Sequence, residues 1–239
     1  MTERLYFRQL LSGRDFAVGD PLATQMVNFT YLIGDREKGE AVAVDPAYGV
    51  GELVDLLAAD GLRLTGVLGT HYHADHIGGS IFGHSIEGFA ELAGRTDVDA
   101  RLHVQRAEAD YVKQQTGVSD SDLVLHDGGD VVTVGDIPIT LLHTPGHTPG
   151  SQCFLVDGRL VSGDTLFLEG CGRTDLPGAD PDAMYDSLVN KLATVPDDTV
   201  LYPGHLYSAE ASAPLGETRL SNFVFRVQGL EQWRLLMGH

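Results

Sequence analysis

The stretch Thr70-His71-Tyr72-His73-Ala74-Asp75-His76 follows the apolar run Leu64 to Leu68. Three imidazoles and a carboxylate fall close together here, at a spacing too irregular for one helix face and suited to a loop curling around ions. A lone histidine more often sits satisfied in a core or on a surface. Four donors packed this closely point instead to metal binding, and neutral imidazole with carboxylate suits zinc, iron or manganese.

One loop cannot complete such a site, and three other strand ends offer donors. His147 lies in His143-Thr144-Pro145-Gly146-His147 after the run Ile137 to Leu142, Asp164 follows Leu160-Val161-Ser162-Gly163, and His205 follows Val200-Leu201-Tyr202-Pro203-Gly204. Each time an apolar strand stops and a possible ligand appears beside glycine or proline, as expected where loops on one rim of a sheet build a site. The inventory suffices for two ions. His84, His103, His126, His143 and His239 lack partners of this kind and read as ordinary histidines. Cys171, in a glycine-rich turn, reads as a small packed residue.

Around these positions, short β-like runs alternate with amphipathic stretches. Leu53, Leu56 and Leu57 predict a helix over about 51 to 60. Asp180-Pro181-Asp182 reads as an N-cap and first-turn proline leading into Met184, Leu188 and Leu192. Asp157-Gly158 signals a hairpin, and a last helix is expected from about Leu230 to Met237. Between Gly78 and Val104, Phe82, Ile86 and Phe89 at i, i+4, i+7 predict a short core-facing helix, with a lid over the substrate as the alternative. No Gly/Ser linker or repeat interrupts the 239 residues, so one domain over 1–239 of the α+β layered class is expected.

Composition narrows the partners. Sixteen Lys and Arg against 34 Asp and Glu give a net charge of −18, which repels nucleic acid phosphates and anionic bilayers. Apolar runs fall far short of the roughly 18 residues of a spanning helix, and Met1-Thr2-Glu3-Arg4 opens no apolar signal core. Two cysteines, Cys153 and Cys171, read as reduced thiols. The expectation is a cytoplasmic protein with no nucleic acid or membrane partner. Its oligomeric state is left open.

Taken in order, Asp45-Pro46 after a strand, the His71 to His76 motif, His147, Asp164 and His205 resemble the metallo-β-lactamase superfamily over nearly the whole chain. The resemblance implies a four-layer αββα sandwich with short C-terminal helices and metals at one edge of the paired sheets. It puts His71, His73 and His147 on one divalent ion, zinc or else iron or manganese, and Asp75, His76 and His205 on a second, with Asp164 bridging. Asp75 and Asp164 become the catalytic carboxylates, and Asp45 supports the metal loop from behind the ligands. Arg173 and Tyr202 are implied as substrate contacts. Two cations about 3.5 to 4 Å apart lower the pKa of a shared water toward 7 and polarise a carbonyl.

Two branches fit. Asp164-Thr165-Leu166-Phe167 through Gly170-Cys171-Gly172-Arg173 looks like the glyoxalase II group, which hydrolyses thioesters of glutathione with 2-hydroxy acids using metal-bound hydroxide. Tyr6 to Leu10, Phe29 to Asp35 and Gly172-Arg173-Thr174-Asp175 look like the persulfide dioxygenases, in which His71, His147 and Asp164 would hold a single Fe(II). Either reading implies a small thiol-derived substrate. Because 34 residues follow His205, too few for the helical region with which glyoxalase II enzymes grip glutathione, a different thiol carrier is expected. The leading expectation is thioester hydrolysis, with sulfur dioxygenation as the alternative.

Overall fold

The computed structural model describes residues 4–81 and 83–238. Phe82 and His239, both named above, lie outside the described residues. The first sheet takes β1 (Leu5–Leu11), β2 (Phe29–Asp35), β3 (Glu40–Val44) and β4 (Arg63–Leu68). A small hairpin, β5 (Gly79–Ile81) with β6 (His84–Ile86), stands apart from it, and β7 (Arg101–Gln105) and β8 (Leu123–His126) complete the order β1-β2-β3-β4-β7-β8. The second sheet holds β9 (Val131–Val134), β10 (Ile137–His143), β11 (Gln152–Val156), β12 (Arg159–Gly163), β13 (Val200–Pro203) and β14 (Ala213–Pro214), ordered β14-β13-β12-β11-β10-β9.

Alternation along the strands sorts their side chains into layers. On β2, Phe29, Tyr31 and Ile33 face the second sheet, where they meet Val134, Ile139, Leu141 and Phe154. Leu32 between them faces outward. There it joins Leu53 and Leu57 of α2 (Val50–Ala59), reached after α1 (Pro21–Met26), in a core that also takes Ile77 of α3 (Ala74–Ile77), Phe89 of α4 (Phe89–Gly94) and Val112 of α5 (Ala109–Thr116). Beyond the second sheet, Cys153, Leu160 and Leu201 pack on Met184 of α6 (Pro181–Asp186), Leu215 of α7 (Leu215–Ser221) and Trp233 of α8 (Leu230–Leu236). The result is the expected αββα sandwich, with helices packed on the outer face of each sheet.

Local signals explain the joins. Asp157 and Gly158 take φ of +43° and +70°, the left-handed pair that a tight turn between β11 and β12 requires. Asp180 caps α6 by accepting from the backbone N–H groups of Asp182 and Ala183, with Pro181 in the first turn. Met184, Leu188 and Leu192 are all buried, although the helix widens to a π turn over Ser187–Lys191.

The region after Gly78 departs from expectation. Instead of one helix carrying Ile86 and Phe89 on a common stripe, the chain forms the β5–β6 hairpin, and α4 starts only at Phe89. Gly78, Gly79 and Gly83 hold φ of +85°, +116° and +82°, conformations that a right-handed helix excludes. Ile86 and Phe89 still reach the core, from a turn rather than from a helix face.

Candidate metal centre

Loops from both sheets meet at one rim. β4 delivers the His71 to His76 loop and α3, β10 delivers His147, β12 delivers Asp164, and β13 delivers His205. All but Asp164 and His73 are buried, and those two are only slightly exposed. Two glycines permit the convergence. A Cβ at Gly204 would sit 2.3 Å from Asp164 Oδ1, and one at Gly172 would sit 2.1 Å from the Asp164 carbonyl oxygen.

Three overlapping triads emerge, His71 with His73 and His147, Asp75 with His76 and His205, and His71 with His76 and Asp164. In the first, His73 Nδ1 lies 3.0 Å from both His71 Nε2 and His147 Nε2. In the second, His76 Nε2 lies 3.2 Å from His205 Nε2, and Asp75 Oδ2 is 3.4 to 3.5 Å from both nitrogens. Asp164 reaches between them, with Oδ2 3.4 Å from His205 Nε2 and 3.7 Å from His147 Nε2, and Oδ1 3.5 Å from His76 Nε2.

Hydrogen bonds behind the rings fix what they present. His147 Nδ1–H donates to the Arg173 carbonyl at 2.8 Å, His205 Nδ1–H to the Met26 carbonyl at 2.8 Å, and His76 Nδ1–H to Asp45 Oδ2 at 2.9 Å. The Thr70 hydroxyl donates to Asp45 Oδ2 at 2.6 Å, which leaves its oxygen to accept from His71 Nδ1–H at 3.0 Å. Four imidazoles therefore turn bare Nε2 lone pairs toward the centre. Lone pairs this close repel unless a cation separates them. Ligands at about 2.05 Å from a tetrahedral ion lie about 3.3 Å apart, close to the spacing seen, so the donor set fits divalent metal.

The charges agree. Burial opposes ionisation of Asp164 and Asp75, yet His205 and His76 hold both carboxylates below their usual range. Burial also opposes a charge on His76, but Asp75, Asp164 and Asp45 outweigh it and push that imidazole up to about 10, so that without metal a proton takes the Nε2 position that a cation would otherwise hold. His73 moves the other way, to about 4, through burial and the neighbouring His147. Asp164 Oδ1 is buried without a hydrogen-bond donor among the described residues. A pocket this rich in carboxylate and lone pairs needs positive charge.

Asp45 joins these parts. Its backbone is left-handed at φ +51°, its Oδ1 accepts from Thr70 N–H at 2.7 Å, and Thr30 donates to its carbonyl. Three further residues escaped the sequence reading. Asn28 donates from Nδ2 to Asp75 Oδ2 at 3.0 Å and accepts from the Tyr48 hydroxyl at 3.2 Å. Tyr207 stacks on the His205 ring at 4.6 Å. Glu108 Oε1 accepts from Thr148 Oγ1 and Gly150 N–H, both at 2.6 Å, clasping the loop that carries His147. Only Tyr207 carried a signal, an aromatic two places past a ligand.

A cavity of about 690 Å³ opens over the centre, lined by His73, Asp75, His147, Asp164, His205, Tyr207 and Arg173 among others. Tyr202 is a correction. Alternation along β13 sends Leu201 toward the helices and Tyr202 between the sheets, where its ring packs 4.8 Å from Phe7 and 6.0 Å from Tyr31, away from the cavity wall. Cys171 lines the cavity and packs against the helical core, and burial pushes its thiol up to about 12. His143 Nε2–H donates to the Pro149 carbonyl at 3.0 Å, and His103 contacts His126 at 2.8 Å, both outside the cluster.

Comparison with known proteins follows the same lines. Human mitochondrial persulfide dioxygenase ETHE1 is 35% identical over 223 residues, covering 90% of this chain and 80% of that protein. A hydroxyacylglutathione hydrolase of Bradyrhizobium sp. (strain ORS 278) is 42% identical over 185 residues, 76% of this chain, but this chain spans only 64% of that enzyme. The crystal structure of ETHE1 from Myxococcus xanthus superposes with a TM-score of 0.77 at 31% identity, covering 98% of this chain and 90% of that one. The family model described as the metallo-beta-lactamase superfamily matches residues 23–205, from α1 through the last of the clustered histidines, and the chain belongs to that superfamily.

Proposed function

We propose that this protein is a hydrolase that holds two divalent metal ions and cleaves a thioester of a small thiol. The observation that carries the reading is the second triad. His76 and His205 each have Nδ1–H anchored on an oxygen, so their bare Nε2 atoms oppose each other at 3.2 Å beside Asp75, as ready for a cation as the first triad. His71, His73 and His147 would hold one ion, Asp75, His76 and His205 the other, and Asp164 would bridge. Such a pair supplies an activated water at neutral pH and a Lewis acid for a carbonyl. Zinc, iron and manganese all suit these donors.

The chain's own groups do the rest. Asn28 holds Asp75 in one orientation, Asp45 holds His76, and the Arg173 carbonyl holds His147, so the ligand cage is set before substrate arrives. The net reaction forms a C–O bond from water and breaks the C–S bond, with the proton leaving on the thiol. No protein nucleophile is called for, and the Cys171 thiol, kept neutral by burial, is unsuited to serve as one. We assign the work to the cytoplasm, a reading supported by two free cysteines. Among the described residues no helix is long and apolar enough to cross a membrane.

A second reading has its own support. The similarity to ETHE1 runs over 90% of this chain and 80% of the human protein, whereas the hydroxyacylglutathione hydrolase match stops at 64% of the enzyme. In that reading His71, His147 and Asp164 face one Fe(II), and a persulfide is oxidised with dioxygen. Anaerobic purification with elemental analysis separates the two. Two ions per chain and thioester cleavage that ignores oxygen support the hydrolase. One iron per chain with persulfide-dependent oxygen uptake overturns it.

A further inference from the structure

Both readings place a sulfur at the metal centre and leave the rest of the thiol to meet the cavity. Asp164 in both readings, and Asp75 in the hydrolase reading, would be engaged by metal and so are not free to meet the thiol. Beyond them the wall is built largely from Met26, Ile81, Phe167, Leu176, Phe223 and Met237. Its neutral polar groups include Ser80 and Gln115, the latter donating to the Ser80 carbonyl at 3.2 Å. Arg173 is the one Lys or Arg side chain among the described lining residues, and its Nε and Nη2 are bound to the two oxygens of Asp175 at 2.9 and 2.8 Å. Glu169 adds a carboxylate on the same wall.

From this lining we infer that the thiol half of the substrate is uncharged, a carrier of amide, hydroxyl and apolar groups without carboxylates. The inference rests on the proposed thiol-derived substrate. Glutathione carries two carboxylates remote from its sulfur. Each would need a cationic or strong N–H partner in the cavity to replace its water, and among the described lining residues Arg173 is the single Lys or Arg side chain for two carboxylates. Arg173 could meet one through its remaining N–H groups, but its charge is already offset by Asp175, and the Glu169 carboxylate on the same wall opposes both. Discrimination thus comes as much from the misplaced anion as from the fit of the neutral carrier. A pantetheine-type thiol, with amides along an otherwise apolar chain, matches the lining.

The test compares carriers that bear the same acyl group. The pantetheine thioester is expected to exceed the glutathione thioester by about tenfold or more in kcat/KM, chiefly through KM. Glu169→Lys should narrow that ratio several-fold. Binding of S-methyl pantetheine and S-methyl glutathione to the metal-loaded protein, read by calorimetry, asks the same question without turnover. If neither thioester is cleaved but the neutral thioether binds more tightly, the hydrolase reading fails and this one stands. Equal or tighter binding of S-methyl glutathione, or no binding of either at millimolar concentration, overturns it.

Discussion

Asp45 spends an unfavourable left-handed backbone on a carboxylate that grips Thr70 and His76 at once. Strain of this kind persists where the surroundings fix it, and here it aims two ligands. Asp45→Ala should weaken metal binding about 10- to 100-fold while leaving all seven donors in place, as measured by titration against a chromophoric chelator. His76→Ala should abolish thioester cleavage and reduce metal content toward one ion, read by elemental analysis; full hydrolysis with one ion bound would refute the two-ion assignment. Glu108 gives a pH signature. Burial pushes its carboxyl up to about 7 despite the bonds from Thr148 and Gly150, so the folded chain binds a proton that the unfolded chain releases near pH 4.3. That contribution is full below pH 4.3 and is lost as pH rises through 7. Glu108→Gln should therefore gain thermal stability relative to the parent between pH 5 and 8, followed by melting in each buffer. The seven donors were legible because their chemistry is written in residue type and strand-end position. Asn28, Glu108 and Thr70 were not, since each acts through a partner distant in sequence or through a bond only folding makes.

Helices and strands set where those residues point. The cap of α6 and the turn after β11 follow from local sequence, and both formed as read. Two expectations failed for different reasons, one read from local spacing and one implied by the family resemblance. The spacing of Ile86 and Phe89 fits a helix, but flanking glycines at positive φ made a hairpin. Tyr202 sits beside a ligand-bearing loop in sequence, yet strand parity turns it inward. α8 shows how an element far along the chain reaches the site. Trp233 is wholly buried, donates to the Pro181 carbonyl at 2.6 Å and pins α8 on α6, which brings Met237 to the cavity. Trp233→Ala should cost about 3–5 kcal/mol in urea unfolding and raise KM more than it lowers kcat, because the wall loosens while the ligands stay.

The whole molecule draws its donors from both halves of the sandwich. Ions that bind only the folded state at a thousandfold excess over Kd add about 4 kcal/mol of stability. For a chain of this size each kcal/mol moves Tm by about 2–4 °C, so stripping the metal should lower Tm by on the order of 10 °C in differential scanning fluorimetry, and readdition should restore it. The αββα order was legible through the family resemblance that the motifs carry, whereas the cavity wall was not, because Met26, Ile81, Phe223 and Met237 meet only in three dimensions.

That division of donors between the sheets has a further consequence for how the molecule is made. The first sheet and its loop contribute His71, His73, Asp75 and His76, while His147, Asp164 and His205 arrive later in the chain. A nascent polypeptide that has formed only its leading half completes none of the three triads. Metal bound by these triads would have to wait until the trailing half docks in register, which would make loading a checkpoint on assembly as well as the preparation for chemistry.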